Sequence, residues 1–210
     1  MDYPSILPAM KKSLICLGSA SPRRSELLHQ IAVAHVIRSA NIDESSRLNE
    51  LPEHYVLRMA LEKGRAVLAR ADLSAPVLPV LAADTVVVLD EKMMGKPCDQ
   101  ADGLAMLRSL SGRRHKVMTA VALLAPGYET SCLSISHVEF CAMSEADMLA
   151  YWRTGESVDK AGGYGIQGYA ATFIKNIEGS FSGVMGLPLF ETGQLLREFG
   201  IDICEACWPG

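Results

Sequence analysis

Hydrophobic and polar positions divide the first third of the chain into a short apolar run and two segments with helical spacing. Residues 14–19, LICLGS, predict a buried strand. Ser21 and Pro22 follow as the N-cap and first position expected of a helix. A second, longer helix is predicted from about 52 to 71, where small and apolar residues recur along one face. The chain therefore opens with a strand, a tight turn and a helix.

The rest of the chain reads as strands alternating with helices. The run VLPVLAADTVVVLD, residues 77–90, predicts a strand that is followed by a turn, and Asp99 predicts the cap of the next helix. Residues 114–125 and 131–142, rich in Val, Ile, Leu, Thr and Phe, predict an antiparallel hairpin. This order indicates a single α/β unit with a mixed sheet.

The last third adds a helix, a strand and a final helix. Ser144 and Asp147 have the spacing of a capping box, which predicts a helix that ends at Gly155. A strand is predicted at 172–177, and a final helix at 188–199.

Composition narrows the class of protein. The 210 residues are 49% hydrophobic, which is enough for a sizeable core, and the net charge of -4 gives no electrostatic reason to expect nucleic-acid binding. The longest apolar stretch, residues 77–89, contains a proline and an aspartate and is too short to cross a bilayer. The first twelve residues lack the order of a secretion signal, so we expect a cytoplasmic protein without a membrane segment.

Six cysteines are scattered along the chain, and only Cys204 and Cys207 form a CxxC pair. No second pair or histidine cluster completes a four-ligand zinc site around them in the sequence. We interpret the pair as an incidental tail, with a metal or redox site as the alternative.

The stretch GYGIQG, residues 163–168, matches the dinucleotide-binding pattern GxGxxG. That pattern needs a strand before it and a helix after it, whereas here a strand-like segment follows, so we reject a nicotinamide-dependent oxidoreductase. Two interpretations stay open. The glycines either let the backbone approach a ligand, with Lys160, Tyr164 and Gln167 as functional side chains, or form a structural turn.

Two arginines, Arg23 and Arg24, fall in the first turn of the first predicted helix, where the helix dipole disfavours cations. A bound anion reverses that preference, because backbone N–H groups and guanidinium groups then converge on it. Two solvated surface arginines are the alternative.

An isolated carboxylate, Asp84, interrupts an apolar strand, and such a group must be paired, hydrated or metal-bound. Glu44 adds a second carboxylate, and Lys63 and Lys96 add cations. Together these residues predict a site for a polyphosphate and a divalent metal. The sequence contains no GxxxxGK[ST] motif, which excludes a P-loop nucleoside triphosphatase.

Six blocks of the sequence, in order, resemble the Maf family of nucleoside triphosphate pyrophosphatases. They are SASPRR at 19–24, AADT at 82–85, GKP at 95–97, LSG at 110–112, DKAGGYGIQG at 159–168 and GSFSGVMGLP at 179–188. They span nearly the whole chain. We therefore divide it into an N-terminal extension (1–12), one Maf-like domain with two lobes (13–200) and a C-terminal tail (201–210).

The resemblance implies an inosine-triphosphatase-like α/β fold, in which helices flank an elongated mixed sheet and a deep cleft separates two lobes. It also implies a homodimer and the hydrolysis of a nucleoside triphosphate to the monophosphate and pyrophosphate, with Mg²⁺, Mn²⁺ or Co²⁺. A role in inhibiting septum formation through protein interactions is the alternative function associated with the family.

The resemblance also assigns roles to residues. Asp84 falls on the proton-acceptor position of the family, and Glu44 is our choice for a second metal carboxylate beside it. Arg23, Thr85 and Gln167 match the branch of the family that prefers dTTP and UTP. The phosphates are expected to meet the remaining polar residues of these blocks and of the second helix: Ser21, Arg24, Lys63, Lys96 and Lys160.

Overall fold

A computed structural model describes residues 14–39, 41–71, 77–201 and 203. The predicted N-terminal extension lies outside these ranges, as do Cys204 and Cys207. The division of the chain into an extension, a domain and a tail therefore stays a prediction.

The described residues form one mixed sheet of seven strands in the order β2-β1-β3-β5-β6-β7, with β4 paired to β3. β1 is parallel to β2 and β3, and the other pairs are antiparallel. The predicted α/β class with a mixed sheet is confirmed. The strands are β1 Leu14–Leu17, β2 Ala34–Ile37, β3 Val80–Leu89, β4 Lys92–Met94, β5 Arg114–Ala125, β6 Tyr128–Phe140 and β7 Ile174–Glu178.

Six α-helices accompany the sheet in the described ranges, and the N-cap residues of three of them lie where they were predicted. The Asp99 side chain accepts a hydrogen bond from the Asp102 N–H, and Ser144 forms a capping box with Asp147. Ser21 and Pro22 occupy the predicted N-cap and first positions of α1, although the Ser21 side chain makes no cap bond. The helices are α1 Pro22–Gln30, α2 Pro52–Leu68, α3 Gln100–Leu110, α4 Glu145–Arg153, α5 Phe181–Met185 and α6 Leu189–Glu198.

The short strands β2 and β4 and the short helix α5 were not predicted. β4 lies in the segment predicted as a turn, because Asp90 and Glu91 take left-handed φ angles of 49° and 59° and reverse the chain within two residues. Leu89 then pairs directly with Lys92. The hairpin turn between β5 and β6 is also tighter than predicted, so β6 starts at Tyr128.

The two faces of β3 pack against different parts of the molecule. On one face Val86 and Val88 pack against α2. On the other face Leu81 packs in a core with α1 and α6, whereas Val87 and Leu89 pack in a second core with α3 and α4. Successive side chains of a strand point to opposite faces, so one helix covers one face and two separate cores cover the two ends of the other.

One edge of β3 is open in its middle. β1 pairs with β3 only at Val80 and Leu81, and β4 pairs with it only from Val87 onward. Residues 82–86 have β5 on one side and no strand of the described chain on the other. This gap separates the two ends of the molecule and forms the floor of a cleft. None of the helices in the described residues has both the length and the apolar character that a membrane crossing requires.

Candidate active site in the cleft

The cleft has a volume of about 560 Å³ and is the meeting point of the turn after β1, the start of α1, the middle of β3 and two glycine-containing loops. Every residue that the sequence predicted for the site lines it. They are Ser21, Arg23, Arg24, Glu44, Lys63, Asp84, Thr85, Lys96, Lys160 and Gln167.

Asp84 is paired with a lysine from α2. Lys63 Nζ lies 2.7 Å from Asp84 Oδ1 and 2.8 Å from Glu44 Oε1, so one ammonium joins two carboxylates. Asp84 is 7% exposed, and this pairing offsets the cost of burying its charge. Both Asp84 and Lys63 nevertheless line the cleft, so the ion pair is accessible to a ligand.

The same two carboxylates fit a hard divalent cation in part. Mg²⁺ commonly uses one or two protein carboxylates and takes its other ligands from water and substrate phosphates. Within the described ranges, no group of three or more histidine, cysteine, aspartate or glutamate side chains is placed to hold a metal ion. The two carboxylates of Glu44 and Asp84 match the number that Mg²⁺ commonly takes from a protein.

The loop that carries Glu44 is fastened to α2. The Tyr55 hydroxyl donates to the Glu44 carbonyl at 2.9 Å, and Arg58 Nη2 donates to the Ser45 carbonyl at 3.1 Å. Arg58 also donates two 2.6 Å bonds to the Glu50 carboxylate. These bonds hold the Glu44 carboxylate near Lys63, which belongs to the same helix.

Charge and burial shift the pKa values of the residues that hold the Glu44 loop on α2. Hydrogen bonds from Arg58 lower the pKa of Glu50 to about 2, and the bonds with Glu50 raise the pKa of Arg58. Burial, together with the nearby Asp84 and Glu44 carboxylates, raises the pKa of Tyr55 to about 12. Tyr55 is therefore a neutral hydrogen-bond donor at physiological pH.

Arg24 is held by three uncharged oxygens. Its guanidinium donates to the Gly186 carbonyl at 2.7 Å, to Ser19 Oγ at 3.0 Å and to Thr85 Oγ1 at 3.2 Å. Burial lowers the pKa of Arg24, and the nearby Asp84 partly opposes this effect. A guanidinium has five N–H groups, so two are not needed for these bonds. Arg24 is thus a fixed cation in the wall of the cleft.

Ser19 is a polar residue of the cleft that sequence reasoning missed. Its oxygen accepts bonds from the Ser21 N–H at 3.2 Å and from Arg24 at 3.0 Å. Both lone pairs are then used, which leaves the hydroxyl proton for a ligand oxygen. Ser19 is the first residue of the SASPRR block and is 7% exposed, but only the folded turn reveals that its neighbours orient its hydroxyl.

Arg23 and Lys160 meet at a carboxylate that was not predicted. Asp159 lies 3.4 Å from Arg23 Nη1 and 2.6 Å from Lys160 Nζ. Asp159 is well exposed, and exposed ion pairs contribute little stability. A polyanion can therefore replace Asp159 as the partner of either cation at small cost.

The GYGIQG segment does not have the geometry of a dinucleotide site. It begins at the last residue of one 3₁₀ turn, Ala161–Gly163, and ends just before a second, Tyr169–Thr172, after which β7 follows. No α-helix starts here to receive a pyrophosphate, so the rejection is confirmed.

The glycines of this loop are required by its own packing. A Cβ on Gly162, where φ is 68°, would lie 2.9 Å from Val87 of β3. A Cβ on Gly168 would collide with the Glu156 carboxylate, which accepts the Tyr169 N–H at 2.8 Å. Close packing thus accounts for Gly162 and Gly168, the approach of a ligand to the other glycines stays a prediction, and the loop brings Lys160 and Gln167 to the cleft.

Tyr164 anchors the loop to the core. Its hydroxyl lies 2.7 Å from Nε2 of His115, and both residues are at most 5% exposed. Burial lowers the pKa of His115 to about 4. His115 is therefore neutral at physiological pH, and its contact with Tyr164 attaches the loop to the buried core.

The fold thus brings a nearly buried carboxylate, that of Asp84, and several ordered cations to one cleft. The profile of the Maf-like protein family matches residues 14–199, and the chain belongs to this family.

Among its relatives are two enzymes named dTTP/UTP pyrophosphatase. The one from Alkalilimnicola ehrlichii is 53% identical over 190 residues, which cover 90% of this chain and 94% of the relative. The one from Methylobacillus flagellatus is 53% identical over 189 residues, with 90% and 94% covered. A comparison of structures finds the Staphylococcus aureus Ham1 protein, with a TM-score of 0.44, 14% identity, and 89% of this chain and 97% of that one covered.

Proposed function

We propose that the protein hydrolyses dTTP and UTP to the monophosphate and pyrophosphate. Its relatives carry the name of this activity. The observation that supports the proposal most strongly is Asp84, a nearly buried carboxylate that is bonded to Lys63 and opens onto a cleft bordered by cations.

In this proposal Asp84 orients and deprotonates the attacking water. Lys63 is bonded to Oδ1, so we assign the water to Oδ2. The bond to Lys63 also fixes the plane of the carboxylate, which is the condition for directing a water at phosphorus. Lys63 holds the carboxylate while the proton moves.

The other cations of the cleft neutralise the charge that develops on the phosphates. Arg24 is already oriented by three uncharged acceptors, so it keeps its position when a ligand binds. Arg23 and Lys160 exchange Asp159 for phosphate oxygens. Ser21, Lys63 and Lys96 complete the set of phosphate contacts.

We assign the metal requirement to Glu44 and Asp84, which would hold Mg²⁺, Mn²⁺ or Co²⁺ together with the substrate phosphates. A divalent ion at this place supplies Lewis-acid stabilisation of phosphate charge. The contribution of the chain is to keep the two carboxylates together, through Lys63 and through the fastening of the Glu44 loop by Tyr55 and Arg58.

Base selection is assigned to Arg23, Thr85 and Gln167. Uracil and thymine present an imide N–H between two carbonyl groups, and a glutamine amide can pair with part of that edge. A base without this pattern would leave polar groups of the site unpaired, which is the usual origin of strong discrimination. A cytoplasmic location, a homodimer and the alternative role in septum formation stay predictions from the sequence.

The decisive test measures pyrophosphate release from dTTP, UTP, CTP, GTP and dATP with added Mg²⁺, Mn²⁺ or Co²⁺, and with chelator as the control. We expect release from dTTP and UTP above the other nucleotides, and none with chelator. An absence of release from dTTP and UTP with every metal would overturn the proposal. Hydrolysis in ¹⁸O-labelled water then shows, from the product that carries the label, whether the α or the β phosphorus is attacked.

A further inference from the structure

Thr119 is a buried residue of β5 that lies behind a residue of the cleft. It faces Thr85 directly in the register between β3 and β5, and it is 1% exposed. Directly opposed residues of an antiparallel pair share one face of the sheet, so the two hydroxyls meet, with their oxygens 3.0 Å apart. Among the residues that line the cleft are Thr85 and Val117 but not Thr119.

The chain of hydrogen bonds through these hydroxyls has one possible direction. Thr119 Oγ1 lies 2.7 Å from the Gly183 carbonyl oxygen, which can only accept, so Thr119 donates its proton there. The proton between the two threonine oxygens must then come from Thr85. At the other end Arg24 can only donate, so Thr85 accepts its Nη2–H at 3.2 Å.

These constraints use the only proton of Thr85 and one of its two lone pairs. What Thr85 offers to a ligand is therefore a single acceptor. We propose that Thr119 is a specificity-determining positioning residue, which holds the Thr85 hydroxyl as an acceptor so that the cleft selects a base with an N–H donor at that place.

A group that can only accept a hydrogen bond distinguishes ligand atoms that can only donate from atoms that can only accept. A sugar hydroxyl can donate or accept, so it would not be selected in this way. The ring N3 of uracil and thymine is a donor, whereas the N3 of cytosine is an acceptor. The inference, which rests on the proposed hydrolysis of pyrimidine triphosphates, is that the Thr119 hydroxyl contributes to the rejection of CTP.

The test compares kcat/KM for CTP and for UTP in the wild type, Thr119→Val and Thr119→Ser. Valine keeps the shape of threonine but removes the hydroxyl, so the Thr85 proton is free to rotate toward the cleft. The Gly183 carbonyl still accepts the Gly186 N–H at 3.0 Å, so it keeps a partner in the variant. We expect the CTP to UTP ratio to rise about tenfold in Thr119→Val, which is the effect of one net hydrogen bond.

Serine is the matched control, because it keeps the hydroxyl, and we expect the wild-type ratio there. A loss of stability alone would lower both rates and leave their ratio unchanged. If the valine variant does not fold, Thr119→Ala gives the same comparison without the second methyl group. An unchanged ratio in the folded variant, beside a wild type that prefers UTP, would overturn the role of Thr119 only. A wild type without preference for UTP over CTP would overturn the proposed function itself.

Discussion

Asp84 and Thr85 are neighbours on β3, yet they belong to chemically different surroundings. Asp84 points to the face covered by α2 and is bonded to the ammonium of Lys63. Thr85 points to the opposite face and is bonded to Arg24 and to the hydroxyl of Thr119. Both line the same cleft, because the edge of β3 is open at this point.

The surroundings of Asp84 and of Thr85 differ in whether a ligand can replace the partners of each residue. The partners on the Asp84 side are full charges, and a metal ion or a phosphate can compete for each of them. On the Thr85 side, the Arg24 guanidinium and the Thr119 hydroxyl are oriented by the backbone carbonyls of Gly186 and Gly183, so the direction of each hydrogen bond to Thr85 is fixed. The first arrangement suits a reaction in which charge moves, and the second suits recognition of a fixed pattern. Substitutions on the two sides should therefore change different quantities.

The largest effect is expected from Asp84→Asn. Asparagine keeps the size of the side chain but cannot take a proton, so we expect kcat on dTTP and UTP to fall by about 10² to 10⁴, the usual contribution of a general base. Nucleotide binding, measured by calorimetry with a non-hydrolysable analogue, should persist. Asp90→Asn is the control, since Asp90 is an exposed partner of Arg113 just after the same strand. Near-normal turnover in Asp84→Asn would contradict the assignment of Asp84 as the general base.

A smaller effect, on selection and not on turnover, is expected from Gln167→Ala. Loss of the amide should bring the kcat/KM values of UTP and the other nucleotides closer together by about tenfold, because one pairing interaction with the base is lost. The same panel of nucleotides measures it. Gln30→Ala, at the exposed end of α1, is the control. A base preference equal to that of the wild type would show that Gln167 does not read the base.

The smallest of the three effects is expected from Arg58→Ala, which loosens the loop that carries Glu44. We expect a severalfold fall in kcat and a loss of stability that depends on pH. The pKa of Glu50 is lowered from 4.5 to about 2, so its bonds with Arg58 stabilise the fold fully above about pH 4.5. This contribution disappears as the pH falls through about 2.

The measurement is urea unfolding of the wild type and Arg58→Ala over that pH range. The difference in unfolding free energy should shrink from pH 5 toward pH 2. Arg108→Ala is the control for turnover, because Arg108 and Glu145 form an exposed pair that does not line the cleft. A stability difference that stays constant with pH would contradict the role of Glu50.

The main elements of the fold were predictable because their signals are local. The capping box of Ser144 and Asp147 and the cap at Asp99 each lie within a few residues of the helix they start. β2 and β4 were missed because they are short and incompletely buried, so their apolar pattern is weak. The turn before β4 uses Asp90 and Glu91 in left-handed conformations, without the glycine that usually marks such a turn.

The membership of the site was predictable, but its connections were not. Eight of the ten residues belong to sequence blocks that reach the cleft, whereas Glu44 and Lys63 lie outside the blocks and were chosen for their charge. The contact of Lys63 with both carboxylates depends on how α2 packs on the sheet. The contact of Thr119 with Thr85 depends on the register of two strands, and nothing in the sequence around Thr119 distinguishes it from an ordinary strand residue.

The open edge of β3 also bears on how the protein avoids non-native association. Gly18 N–H donates to the Leu81 carbonyl on the β1 side. Since backbone groups alternate along a strand, those of Ala83 and Thr85 point toward the cleft. An exposed strand edge is a template for pairing with another chain. This one spans about 17 Å at roughly 3.3 Å per residue, and β1 and β4 flank it as side walls. A strand of a neighbouring molecule could pair here only over these five residues, 82–86, because β1 and β4 occupy the rest of this edge.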